Sequence, residues 1–364
     1  MNRRWICNDV WMDILPSFDR VQLGLKIALL SPRFDALVDK HFGGKATELT
    51  IWRAIDIRKD NEQKPMLLVK WDSLAFPLPD RPLPNKIRFN YLHIAYIDHA
   101  VITFLNANKQ IWDRIGTNLE LCIAADDVQS IWDVFVHQIW PIFTPNIRHL
   151  YIYNGNHLDN LRRFTSPTML TDLNQLVSIC FFRPFPIELS GDDGPNATSA
   201  GQALYNWLHT PTIDGQPKRL RCYVSFGPPI VEWIIKLKEK FLRSTTTSAS
   251  YKIRFGVLMM STPIEPFELV NERTNEQLTL TSNSGVKWLL MRCPISGAET
   301  AAAAAQKDEI LEDDWDAYIL DHLHGVKFYL NNDCIGPLSP PGQSDEKVFS
   351  TPGPSSDQRK KKKK

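Results

Sequence analysis

The chain has 364 residues, 43% of them hydrophobic, enough for a substantial core in one large or two ordinary domains. Six of its 42 basic residues form the terminal run Arg359–Lys364, and the remaining 36 against 41 acidic residues leave the body at −5. That balance argues against general nucleic-acid binding, which needs a basic surface, and no uninterrupted apolar run approaches the ~20 residues of a membrane helix.

Residues 5–42 read as three short apolar-faced helices around proline breaks. Asn8 or Asp9 caps the first by accepting a free amide of its first turn. Val10, Trp11, Ile14 and Leu15 recur at helical spacing, and Pro16, which lacks an amide, ends the run. Val21–Leu30 comes next, apolar on more than one side through Leu23, Leu25, Ile27, Leu29 and Leu30, as suits a helix held between two surfaces. Ser31 caps a third helix with Pro32 in its first turn, and Phe34, Leu37 and Val38 give its face. A piece of roughly 40 residues is too small to be stable by itself, so these helices require a partner in the chain or outside it. Asn8, Asp9 and Asp13 stand where a signal peptide needs an apolar stretch, so the expected compartment is cytosol or nucleus.

Asp9-Val10, Ile14-Leu15, Leu23 through Leu30, Ser31-Pro32-Arg33-Phe34 and Leu37-Val38, in that order, resemble the F-box, the motif that docks onto the Skp adaptor of cullin-based ubiquitin ligases. Asn8 stands where a Leu-Pro pair often opens the motif, Phe34 stands where Trp is common, and the turn after Leu15 differs in length. The segments ALLSPRFDALVDKHF, PLPNKIRF, IWPIFTPNIRHL, LRRFTSPTML and WLLMRCPI are similar to an expanded group of nematode F-box proteins, which extends the resemblance over most of residues 5–295. The resemblance implies a non-catalytic substrate receptor that brings a target protein to the adaptor and, through it, to the cullin. Val10, Trp11, Ile14, Leu15, Leu23, Leu25, Ile27, Leu30 and Phe34 are the adaptor contacts it implies.

Residues 46–71 read as a β-hairpin with polar Asp60–Lys64 at its turn, covering one end of the repeat region next to it. From 85 to 260 strand-like and helix-like runs alternate, and the strand anchors Leu92, Leu121, Leu150 and Ile179 fall at a constant step of 29 residues. Each is followed two residues later by Ile94, Ile123, Ile152 or Phe181, so the two share one face of a short strand. Helices are expected at Asp98–Ile111, Asp127–Trp140 and His157–Leu173, the last broken near Pro167. Alternation of this kind favours parallel strands joined by right-handed crossovers, and a 29-residue step sits at the long end of the leucine-rich-repeat range. Further strands are expected at Arg219–Phe226 and Tyr251–Leu258, helices at Ser199–His209 and Ile230–Leu242, and a surface loop at Pro186–Ala197.

From Pro266 alternating residues and polar turns predict an antiparallel meander, and Ala301–Ala305 with Leu311, Trp315, Ile319 and Leu323 predict a terminal amphipathic helix within 266–325. Residues 335–364 are expected to be disordered, with a basic end. The expected fold class is therefore α/β: N-terminal F-box-type helices, then a degenerate leucine-rich-repeat-like α/β solenoid with antiparallel β capping segments.

Strand alternation fixes a second face. With Leu92 and Ile94 inward, Tyr91, His93, Glu120, His149, Tyr151, Tyr153 and Phe182 turn outward, and this aromatic and histidine-rich surface is the expected target-binding site. No G-x-S-x-G or comparable nucleophile context is present. His322 and His324 are two apart on an expected helix and so point to different sides, Asp126 suits a helix cap and Asp313-Asp314 an exposed acidic face. The six cysteines are scattered without a C-x-x-C pair, as in reduced core thiols. No cofactor and no metal is expected. The Lys360–Lys364 run reads either as a nuclear import signal or contact for an acidic partner, or as a solvated tail. A repeat scaffold whose N-terminal helices merely cap its end is the alternative to the ligase subunit.

Overall fold

The computed structural model describes residues 6–42, 49–69, 74–83, 87–113, 117–123, 129–184, 199–224, 228–246, 250–257, 264–282, 287–295 and 325–339. The expected helix at 299–323, the loop at 186–197, Asp126, and the tail beyond 339 lie outside these residues, as do His322, His324 and Asp313-Asp314.

The N-terminal module comprises α1 (Asn8–Ile14), a 3₁₀ turn at Leu15–Ser17, α2 (Arg20–Gln22), which widens into a π turn and then tightens to end at Leu30, and α3 (Pro32–Phe42). Pro16 ends the first helix as expected, and Asp19 caps the second by accepting the Gln22 amide at 2.8 Å. The expected cap on α1 does not form: Cys7 holds that position without capping an amide, its thiol donating to Asp9 Oδ2 instead, and Asn8 lies inside the helix. The reason is Arg33, whose guanidinium donates to Asn8 Oδ1 at 2.7 Å and to the Ile6 carbonyl at 2.6 Å, charge-assisted bonds that clip α1 to α3. Trp11 meets Phe34 edge-on at 4.8 Å across the same junction. Beneath it Leu15, Val21, Leu23, Leu25, Ile27, Leu37 and Val38 are buried in a core continuous with that of the sheet.

One open mixed sheet of thirteen strands organises the rest of the described residues. Its strands are β1 (Leu49–Lys59), β2 (Pro65–Val69), β3 (Leu74–Pro77), β4 (Ile87–Ile94), β5 (Thr117–Ile123), β6 (Ile147–Ile152), β7 (Ser178–Pro184), β8 (Lys218–Val224), β9 (Tyr251–Val257), β10 (Phe267–Asn271), β11 (Glu276–Ser282), β12 (Lys287–Pro294) and β13 (Gly325–Leu330), in the spatial order β10-β11-β12-β9-β8-β7-β6-β5-β13-β4-β1-β2-β3. The stretch from β1 to β9 is parallel. The hairpin β1–β2 turns at Asp60–Lys64, but instead of covering an end it continues the sheet, because β1 pairs in parallel with β4. At the other edge the meander β10–β12 attaches through β12, antiparallel to β9.

The 29-residue step marks real strands, and Leu92, Leu121, Leu150 and Ile179 all point into the core. It does not mark four consecutive neighbours. Strand β13 slides between β4 and β5, pairing with Tyr91–Ile94 on one side and Asn118–Ile123 on the other. Two features of its sequence, GVKFYL, explain the fit. A side chain at position 325 would collide with the Asn118 carbonyl, so only glycine allows that approach, and Phe328 fills the space beneath, edge-on to Phe135 at 5.2 Å and Phe143 at 5.7 Å. Residues 335–339, expected to be disordered, are held to the body. The Ile97 amide donates to the Cys334 carbonyl, the Gly336 amide to the Ile97 carbonyl, and the His99 amide to the Pro337 carbonyl.

Helices α4 (His99–Ala107), α5 (Lys109–Asp113), α6 (Gln129–Val134), α7 (Trp140–Phe143), α8 (Gly155–Phe164), α9 (Met169–Asp172), α10 (Ala200–His209) and α11 (Pro228–Arg243) connect the parallel strands. Asp98, Asn154 and Ser199 cap α4, α8 and α10 by accepting an amide of the first turn. Asn108 separates α4 from α5, its buried side chain accepting the Leu83 amide and donating to Phe104. A π turn at Phe135–Ile139 joins α6 to α7 just ahead of Pro141, which supplies no amide for a regular turn. Rings of these helices meet the sheet on one face: Phe135 and Phe143 on Phe328, Trp233 on Phe255. Successive crossovers running in one direction along a parallel sheet keep their helices on one side. The opposite face is left to polar residues. No helix among the described residues is long and apolar enough to cross a membrane.

Candidate functional site: the polar face of the sheet and the N-terminal module

Strand register arranges the polar face in rows. One row runs Asp56, His93, Lys327, Glu120, Tyr151, Cys180, Arg221, Arg254, each directly opposite the next on the neighbouring strand. A second runs Tyr91, Gly325, Asn118, His149, Ser178, Arg219, Lys252. The expected outward residues Tyr91, His93, Glu120, His149 and Tyr151 therefore do lie on one surface, and Phe182 joins it by stacking on Tyr151 at 6.2 Å. Tyr153, just past β6, leans toward His157 at the start of α8 instead.

At the β1–β5 end opposite charges meet in register. Lys327 Nζ lies 2.5 Å from Glu120 Oε1, and the Tyr91 hydroxyl donates to Glu120 Oε2 at 3.2 Å. Glu120 is thus 8% exposed and engaged on both oxygens, which removes it from the expected target-contacting set. Burial, then the Glu120 charge, pushes the Tyr91 phenol far up, so it stays a hydrogen-bond donor. Arg58 donates to Asp56 Oδ2 at 2.6 Å, and His93 Nδ1 lies 3.3 Å from Asp56 Oδ1. Burial alone would raise the Asp56 carboxyl, but the bond and charge of His93, with Arg58 beside it, outweigh that and hold it below its ordinary value.

At the β8–β9 end the register sets like against like. Arg219 stands opposite Lys252, and Arg221 opposite Arg254. Burial, with Arg148 and Arg219 adding their charge, pushes the neighbouring His149 imidazole down to about 4. Burial drives the Cys180 thiol up to about 11, against the pull of Arg221, so it is no ready nucleophile. The expectation of target contacts missed this cationic quartet and Lys327, although KRLR and KIR display charges at the two-residue period of a strand face. Among the described residues no group of three or more His, Cys, Asp or Glu is placed to hold a metal. All six cysteines are free; Cys180, Cys222 and Cys334 are buried, and Cys7 is exposed.

The nine expected adaptor contacts divide by burial. Leu15, Leu23, Leu25 and Ile27 are core residues that no partner reaches without unfolding the module; they are removed from the contact set. Trp11, Ile14 and Phe34 are half-buried, while Val10 at 48% and Leu30 at 58% exposure offer apolar surface, together with Ile6, which the motif did not single out. The helical run Val21–Leu30 is apolar on more than one side because its start, α2, contacts β1 and its later turns pack on α3, within a core shared with the sheet.

Compared with protein-family models, with curated proteins and with solved structures, the chain matches none.

Proposed function

We propose that the chain is an F-box-type substrate receptor: the N-terminal module docks onto a Skp adaptor linked to a cullin, and the polar face of the sheet holds a target protein. The observation that carries this reading is the apolar surface that Ile6, Val10 and Leu30 expose on a module whose core is already filled by Leu15, Leu23, Leu25 and Ile27, since apolar groups left outside a filled core suit a partner surface. The mechanism is positional. A receptor raises the effective concentration of a target lysine near a charged ubiquitin carrier, and no residue of this chain takes part in the bond chemistry. The one-sided placement of the helices favours a degenerate leucine-rich-repeat-like solenoid as the target-binding part, and the action belongs in cytosol or nucleus.

A pull-down with the Skp adaptor tests the reading, using Val10→Asp with Leu30→Asp because both side chains are exposed and the variant keeps its core. Wild-type capture that the double change abolishes supports the receptor. Absence of wild-type capture shifts the weight to a scaffold, a reading favoured by the burial of Leu25 and Ile27 in the core shared with the sheet, as expected of helices that cap an end.

A further inference from the structure

We propose that the β8–β9 part of the polar face receives an acidic, extended segment of a partner protein, with Arg219, Arg221, Lys252 and Arg254 taking its anionic side chains. The register places these four cations at the corners of a near-rectangle. Its sides are about 5 Å between strands and about 7 Å along each strand. Alternate side chains of an extended peptide repeat at that same distance of about 7 Å, so acids at positions i and i+2 of a segment lying between the two strands each meet one facing pair of cations, Arg219 with Lys252 and Arg221 with Arg254.

Charge complementarity selects the occupant. In register with the quartet stand Ser178 and Cys180 on β7, and Met291 and Leu289 on β12, none of them acidic. Arg221, Lys252 and Arg254 also interact within the chain, so the inference rests on the density of positive charge and its spacing, with none of the four taken as free. A nucleic acid is the poorer fit. The same face carries Glu120 and Asp56 a few strands away, the body outside the basic tail is at −5, and the flank at Leu289 and Met291 is apolar. An acidic stretch followed by an apolar residue matches both the cations and that flank.

The inference rests on the polar face being the target-binding face, and the experiment separates the two. The full chain is titrated with a fluorescent hexaglutamate peptide, with the same peptide carrying phosphoserine in place of two glutamates, and with an oligothymidylate strand. Saturable binding of either peptide, weakened by salt and reduced roughly tenfold or more in Arg219→Gln with Lys252→Gln, is expected; Arg219→Lys should retain it, and cooperative melting at or above the wild-type temperature checks that the variant folds. Tighter binding of the phosphoserine peptide identifies phosphorylated segments as the preferred source of the anions. Peptide binding that is unchanged in the double variant, or an oligonucleotide that binds more tightly than both peptides, overturns the proposal. If the double variant still captures the adaptor and a target that Tyr151→Ala loses, the acidic chemistry falls while the receptor reading stands; if wild type captures no adaptor yet binds the peptide, the reverse holds.

Discussion

The two ends of one sheet face handle charge in opposite ways. From β1 to β5 each acid meets a base in register, Asp56 with His93 and Lys327 with Glu120, and the groups are drawn into partial burial. On β8 and β9 two basic residues face two others. Like charges directly opposite oppose strand pairing, so one end is built for the fold while the other concentrates positive charge at some cost to pairing. The strands beside that second end show that matched pairing is within reach there. On the helix-facing side of β11 and β12, Arg292 Nη2 lies 2.6 Å from Glu276 Oε2, both side chains almost wholly buried, with the Arg292 guanidinium over the Phe241 ring.

That buried pair sets the upper limit of what a matched charge contributes. Glu276→Gln should destabilise the protein by about 3–5 kcal/mol, because it strands the Arg292 charge in the core. At the matched end of the polar face Glu120→Ala should cost about 1–3 kcal/mol, less because Lys327 retains some access to water. Urea denaturation of both variants checks the order; equal losses would mean that the polar face is as dry as the core, and would weaken the contrast between the ends.

Acid sharpens it differently. His149 and the buried His209, the latter pushed by burial down to about 4, bind protons more readily in the unfolded chain than in the fold. As pH falls from about 6.5 toward 4 the unfolded state gains protons first, so stability present at neutral pH is lost across that window. Asp56, held below its ordinary carboxylate value, keeps its contribution until the pH drops under that value. Melting curves between about pH 7 and pH 3 should therefore lose stability in two stages, and His149→Asn should shrink the first and leave the second.

How much of this is legible in the sequence depends on whether the signal is local. Periodicity places the core strands, since Leu92 or Ile152 needs only its own neighbours to point inward, and Ser199, Asp98 and Pro16 mark helix ends through chemistry within a turn. Neighbour relations are not legible. GVKFYL receives no element from the sequence, and nothing within it says that it enters as a strand between β4 and β5, a contact with strands far upstream that also decides the partner of Glu120. The motif at the N-terminus marks apolar residues without telling the packed Leu25 from the exposed Leu30, because the same leucine periodicity serves a core and a docking surface. The cationic quartet is written in KRLR and KIR, but its meaning emerges only when β8 and β9 lie side by side.

The smallest expected effect has the opposite sign and separates the two ends most cleanly. Arg219 is exposed and stands opposite Lys252, so Arg219→Gln should stabilise the protein by roughly 0.2–1 kcal/mol, whereas every neutralisation at the matched end destabilises it. The same change removes one of the charges that hold His149 down, so the imidazole should titrate at a higher pH, readable by NMR in the folded protein. A variant that melts higher, with His149 shifted up, shows that Arg219 opposes the fold it sits on. A variant that melts lower shows that Arg219 is held by the chain itself, and the two ends of the face would then differ in arrangement but not in purpose.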